Sequence, residues 1–294
     1  MRRLTAARFD SCPCCGKLEF EVAWLNSRAS PIETSDDFFY GGKRFIHEID
    51  RCLGCGFAFI ADPETGRSEA FYTEADPGLY LRQSRLRRDY FTRLKAKLIR
   101  RGLIENEIRS VIDLGAGDEA WLGLWPAAKH SATETNPVLR QRLNACGVHL
   151  IADLPNDLAA ADLVSAFDFL EHLENPVELV RQIRCAANDH ARLVVSVPDI
   201  GTWAARLAGW RYYLVTPMHF SYFTEAALSH LLKSQFPDRD VEIFPSPRMQ
   251  LSFDGLSRWL APGTPRKRWH SLVIPLYYRA SLIGLVSPRS DRAG

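Results

Sequence analysis

A chain of 294 residues, 46% of them hydrophobic, can build one large core plus a small module and does not have the composition of a disordered polymer. Its formal charge of +2 excludes a bulk electrostatic attraction to nucleic acid, so only local clusters could make that case. The basic start, Met1 to Arg8, leads into no apolar targeting region, and no uninterrupted apolar run reaches the roughly 18–20 residues of a membrane span. A cytoplasmic protein is expected.

The first segment carries Cys12-Pro13-Cys14-Cys15-Gly16 and Cys52-Leu53-Gly54-Cys55-Gly56, two C-x-x-C turns each followed by glycine. Cys12, Cys15, Cys52 and Cys55 can present four thiolates to one tetrahedral zinc ion, with Cys14 as a spare. Four sulfurs leave no open position for a reacting water, so the metal is expected to be structural. Residues 18–24, 44–49 and 57–60 alternate as strands do. Residues 1–65 are thus expected to form a small β-rich, zinc-ribbon-like module.

Residues 66–80 are rich in aromatic and turn residues, the composition of a bridge that lines a cleft between two units. Leu86, Tyr90, Phe91, Leu94, Leu98 and Ile99 then recur at helical spacing among nine lysines and arginines, predicting a capping helix over 81–101. Bridge and helix together occupy 66–105.

An apolar run follows, Ser110-Val111-Ile112-Asp113-Leu114, and breaks into Gly115-Ala116-Gly117. This is the pattern of a buried parallel strand ending in a turn where backbone can approach a ligand. A helix over about 119–128 would add its N-terminal amides to the same site. Glu134 stands 21 residues after Asp113, at the end of a second apolar stretch, where a carboxylate can accept from both hydroxyls of a ribose. Further strands are predicted at 148–151, ending at Asp153, and at 161–167, leading into Asp168-Phe169-Leu170-Glu171-His172-Leu173. Residues 176–183 read as an amphipathic helix, 192–198 as a fifth strand, 203–210 as a short helix, 225–233 as a helix capped by Thr224, and 241–244 as a sixth strand.

Taken in order, residues 111–117, Glu134-Thr135-Asn136-Pro137, Asp162-Leu163-Val164, Leu170-Glu171-His172-Leu173 and residues 192–198 resemble the class I S-adenosylmethionine-dependent methyltransferases. The resemblance implies an α/β fold, a doubly wound Rossmann-like sheet over residues 106–250, preceded by the zinc-ribbon-like module. It implies that Asp113, Gly115 and Gly117 hold the methionine end of the cofactor, Glu134 the ribose, and Asp153 with Leu154 the adenine. Leu170 and the residues to Leu173 would line the methyl-transfer pocket. Glu119 departs from the family, which commonly has glycine there, and a carboxylate at that position could repel the cofactor's own. Zinc-containing sugar methyltransferases are similar again at Met218 to Thr224, where His219 and Tyr222 match and Met218 replaces a glutamate.

Residues 251–294 join a basic cluster, Arg266-Lys267-Arg268-Trp269, to an apolar stretch at 272–286 broken by Pro275 and Arg279. They are expected to form an extension making peripheral membrane contact, packing on the body or forming a dimer contact. The reading is a methyltransferase acting on a small polar acceptor of sugar type, with His219 as the base that takes its proton, Tyr222 orienting the acceptor and His172 shaping the pocket. Two alternatives stand beside it: an RNA base methyltransferase, against which the weakly basic module argues, and a binding protein that has lost catalysis. The oligomeric state is left open.

Overall fold

The computed structural model describes residues 2–3, 9–25, 48–61, 72–152, 154–208, 218–247, 249–252, 273–278 and 281–289. Four short strands open the chain: β1 (Arg2–Arg3), β2 (Phe20–Leu25), β3 (Glu48–Cys52) and β4 (Ala58–Ile60). They pair antiparallel in that order. Two helices follow, α1 (Gly78–Arg82) and α2 (Ser84–Arg100). The body then runs β5 (Ser110–Leu114), β6 (Lys129–Thr133), α3 (Pro137–Ala145), β7 (His149–Leu150), α4 (Leu154–Leu158), β8 (Leu163–Phe167), α5 (Pro176–Ala186) and β9 (Arg192–Pro198). It closes with α6 (Trp203–Ala208), β10 (Ser221–Tyr222), α7 (Glu225–Gln235), β11 (Asp240–Pro245), β12 (Met249–Ser252), β13 (Val273–Tyr278) and β14 (Ser281–Ser287).

Among the described residues the main sheet has seven strands in the order β7-β6-β5-β8-β9-β14-β11. Strands β7, β6, β5, β8 and β9 are parallel, and β14 runs antiparallel to both β9 and β11. Successive residues of a strand face opposite sides, and here both sides are covered. Ile112, Leu193, Val195 and Leu282 enter one core with α5 and α7, while Val111, Val194, Ile283 and Leu285 enter the other with α2. That is why these strands read as continuous apolar runs rather than alternating ones. No helix among the described residues is long and apolar enough to cross a membrane.

Three expectations are corrected. The stretch 119–128 forms no helix. It makes one 3-10 turn, Leu122–Leu124, because Trp121 and Trp125 bury themselves against each other and Pro126 has no amide to continue a helix. Second, the methyltransferase sheet does not close near residue 250. Ser281–Ser287 lies between β9 and β11 with Leu282 to Val286 buried, so that part of the expected extension belongs to the core and offers no apolar face to a membrane. The basic cluster 266–269 lies outside the described residues, as do residues 44–47. Third, the first module is not closed by its own chain: β10, from beyond the fifth strand of the body, pairs antiparallel with β4 and completes the small sheet.

Gly284 of β14 faces the core packed with α5 and α7. A Cβ there would lie 2.6 Å from Leu232 and 2.9 Å from Val195, both fully enclosed. Gly284→Val should therefore overpack this layer and lower stability by about 1–3 kcal/mol, measured by urea unfolding against the wild type.

Candidate functional site

The site is assembled at the carboxyl ends of β5, β6 and β8, the side on which open α/β sheets bind ligands. Gly115 and Gly117 both take positive φ, 68° and 65°. Each also touches an aromatic ring so closely that a Cβ would stand 2.3 Å from Phe169 or 2.0 Å from the Tyr80 hydroxyl. Only glycine fits both demands. The Gly117 amide donates to Glu134 Oε2 at 2.8 Å, and the amides of Thr135 and Asn136 donate to Glu134 Oε1, each at 2.8 Å. Glu134 thereby locks the glycine turn to the end of β6, although burial leaves its pKa above the ordinary carboxylate value.

Asp113 is 3% exposed and accepts from the Ser165 hydroxyl at 2.7 Å. Burial, only partly offset by that hydrogen bond and reinforced by Asp118 and Glu134, pushes its pKa up to about 7. Glu119, expected to face the cofactor's carboxylate, is turned onto Arg142 of α3. Nε of that arginine donates to it at 2.7 Å, and the pairing lowers the pKa of Glu119. The departure from the family is thus neutralised within the fold. Leu154 opens α4, Asp153 lies outside the described residues, and Leu170 is fully enclosed in the core.

The bridge supplies residues that sequence reasoning passed over. Asn136 caps α3, its Oδ1 accepting from Val138, while its Nδ2 donates to the carbonyls of Tyr72 and Ala75, each at 2.9 Å. Tyr80 covers Gly117, and the Arg87 guanidinium lies 3.4 Å above the Tyr80 ring while pairing with buried Asp118. The aromatic composition of 66–80 was the available signal. Its partners were not, because they come from β5 and β6.

Beside the glycine turn stands a second cluster. Glu171 and His172 lie on the 3-10 turn Leu170–His172 after β8, preceded by Asp168, the one non-glycine residue with positive φ (47°) among the described residues. His172 Nδ1 lies 3.0 Å from the Met218 carbonyl, and the Tyr72 hydroxyl 3.3–3.4 Å from the ring nitrogens. Burial holds His172 down to about 4, so it is neutral near pH 7. The His219 ring packs 4.7 Å from His172, centroid to centroid, and 6.2 Å from Tyr222. His172 and His219 are thus brought together. Tyr222 is 1% exposed and packs among Ile49, Ile60 and Ile200, inside the junction with the first module rather than on an open pocket wall.

In that module the sulfurs of Cys12 and Cys55 are 3.6 Å apart, as are those of Cys15 and Cys52. A tetrahedral ion about 2.3 Å from four sulfurs would set them about 3.8 Å apart, so the spacing fits. Cys14 is buried alongside but is not one of the four, and burial raises its pKa.

In the protein without cofactor, Asp113 carries a stability term of known sign. Its folded pKa is raised, so its contribution is fully present below about pH 4 and is lost as pH rises through about 7. Asp113→Asn should remove that part of the decline, seen as a smaller fall in unfolding free energy between pH 5 and pH 8 than in the wild type.

A family described as a methyltransferase domain matches residues 86–235, just over half of the chain. No curated protein matches. Among solved structures, the complex of the Haloferax volcanii Trm112 methyltransferase activator with a putative methyltransferase aligns at TM-score 0.51 and 13% identity, covering 76% of this chain and 98% of that one. The plantazolicin methyltransferase BpumL, bound to SAH and a triazolic desmethylPZN analog, aligns at TM-score 0.50 and 14% identity, covering 76% and 95%. Both share the fold. With the sheet order, the glycine turn and the family match in agreement, the chain belongs to the methyltransferase-domain family of class I S-adenosylmethionine-dependent enzymes.

Proposed function

We propose that this methyltransferase moves the methyl group of S-adenosylmethionine to a small polar acceptor, a sugar or sugar nucleotide, with Gly115, Gly117 and Asp113 at the methionine end and Glu134 at the ribose. One observation carries the reading: Phe169 lies on Gly115, so the glycine turn and the Glu171-His172-His219 cluster border the same space. Methyl transfer needs alignment of acceptor and methyl, and a way for the acceptor's proton to leave. His219, with Glu171 and His172 around it, is the group that makes the proton leave, and Tyr222 backs its ring from inside the fold. SAH in the BpumL structure is consistent with the cofactor assignment.

Calorimetry with S-adenosylhomocysteine tests the cofactor. Binding is expected for the wild type, and Glu134→Ala should lose about 1.5–3 kcal/mol of it, roughly ten- to a hundredfold. His219→Ala should leave that affinity nearly unchanged while lowering turnover of a sugar-nucleotide acceptor by about a hundredfold or more.

Zinc in the first module completes the reading. Cys12, Cys15, Cys52 and Cys55 hold it, and its role is to fold the module. Elemental analysis should find zinc in the purified protein, and Cys52→Ser should lower both zinc content and melting temperature.

A further inference from the structure

Glu171 poses a problem that the proposed reaction does not solve. It is 1% exposed, and neither carboxylate oxygen has a hydrogen-bond partner among the described residues. Burying a carboxylate without partners is costly, and such a group calls for an explanation in terms of an ion, a water or a catalytic role. Two imidazoles stand close by: one ligand atom each from Glu171, His172 and His219 lie within 4.8 Å of one another. Neither ring is hydrogen-bonded to the carboxylate.

We propose that Glu171, His172 and His219 form a divalent transition-metal site, separate from the four cysteines. Two imidazole nitrogens and one carboxylate oxygen are a donor set for zinc, iron, manganese or cobalt, and three protein ligands leave positions for an outside oxygen. The surroundings have the form such sites take. His172 Nδ1, 3.0 Å from the Met218 carbonyl, is held as the N–H tautomer, which turns Nε2 into the ligand atom. The Tyr72 hydroxyl, 3.4 Å from Nε2, stands beside the group as a further oxygen donor. Both flanks are fixed by backbone, since Phe220, next to His219, donates its N–H to the Glu171 carbonyl at 2.7 Å. The ligands therefore cannot drift apart independently.

The inference rests on the methyl-transfer reading for its chemistry and names the acceptor class more narrowly: a molecule that offers a hydroxyl or enol oxygen to the cation. Coordination acidifies that oxygen, so its proton passes to water and His219 acts on it through the cation rather than as a free base. The oxygen, or the carbon conjugated to it, then bonds to the methyl carbon as the carbon–sulfur bond breaks, and the sulfonium becomes a neutral thioether.

The test is a metal count on the full chain, dialysed in turn against Zn2+, Mn2+ and Co2+ and then against metal-free buffer. Two equivalents of divalent cation per chain are expected for the wild type with at least one of the three, the thiolate site holding one. Glu171→Gln and His219→Ala should each hold one fewer. Unchanged affinity for S-adenosylhomocysteine in both variants shows that they are folded. Cobalt in the second site should give a d–d band without thiolate charge transfer. Equal metal content in wild type and both folded variants, with every cation, overturns the proposal. Should the wild type fail to bind S-adenosylhomocysteine, the methyl-transfer reading falls instead, and the metal count then stands by itself.

Discussion

The backbone of one residue, Phe220, ties the two halves of the molecule to each other. The Phe220 N–H donates to the Glu171 carbonyl at 2.7 Å, and the Phe220 carbonyl accepts from the Ile60 N–H at 3.0 Å. On one side of this link is the turn after β8. On the other is the last strand of the cysteine module. His219 precedes it and Tyr222 follows it by two residues, so backbone hydrogen bonds as well as the packing of its ring on His172 set the position of His219. Thr224 tightens the same junction: its hydroxyl donates to the Cys55 carbonyl at 2.6 Å and accepts from the Ala227 N–H as the cap of α7.

This arrangement gives the first module a purpose beyond gathering four cysteines. A zinc-ribbon-like sheet with an unpaired edge would be a liability. Here that edge is covered by β10, which starts two residues after His219 and buries Tyr222 in the junction. The bridge thus presses on the glycine turn and on the histidine pair from outside the sheet, Tyr80 on Gly117 and Tyr72 on His172.

The legible parts of the chain were those whose causes are local. The run 110–114 followed by Gly-x-Gly could be read because apolar β-branched residues, an acid and two glycines in that order have few other uses, and Glu134 because its distance from Asp113 is set by the single crossover from β5 to β6. Thr224 and the proline of α5 announced their helices in the same way. β14 was hidden: its apolar run abuts Pro275 and Arg279, and only long-range pairing with β9 and β11 makes it a central strand. The missing helix after Gly117 was decided by burial of Trp121 and Trp125, a tertiary effect that no propensity reports. Glu171 could be read only as one of the residues from Leu170 to Leu173 that line the pocket, because its lack of partners exists only in three dimensions.

The shared core bears on how the chain can be divided. Phe20, Phe57 and Phe59 of the first module belong to the same buried cluster as Phe223, Leu228 and Leu231 at the start of α7. Phe57 and Phe223 meet ring to ring at 5.2 Å. A catalytic fragment begun after the module would face water with Phe223 and with the unpaired edge of β10, surrendering about 1.5–3 kcal/mol for each large side chain laid bare. The order of the chain suggests an appendage followed by an enzyme, but the packing makes one folding unit, and a truncated version would be prone to stick to its own kind before it could be assayed.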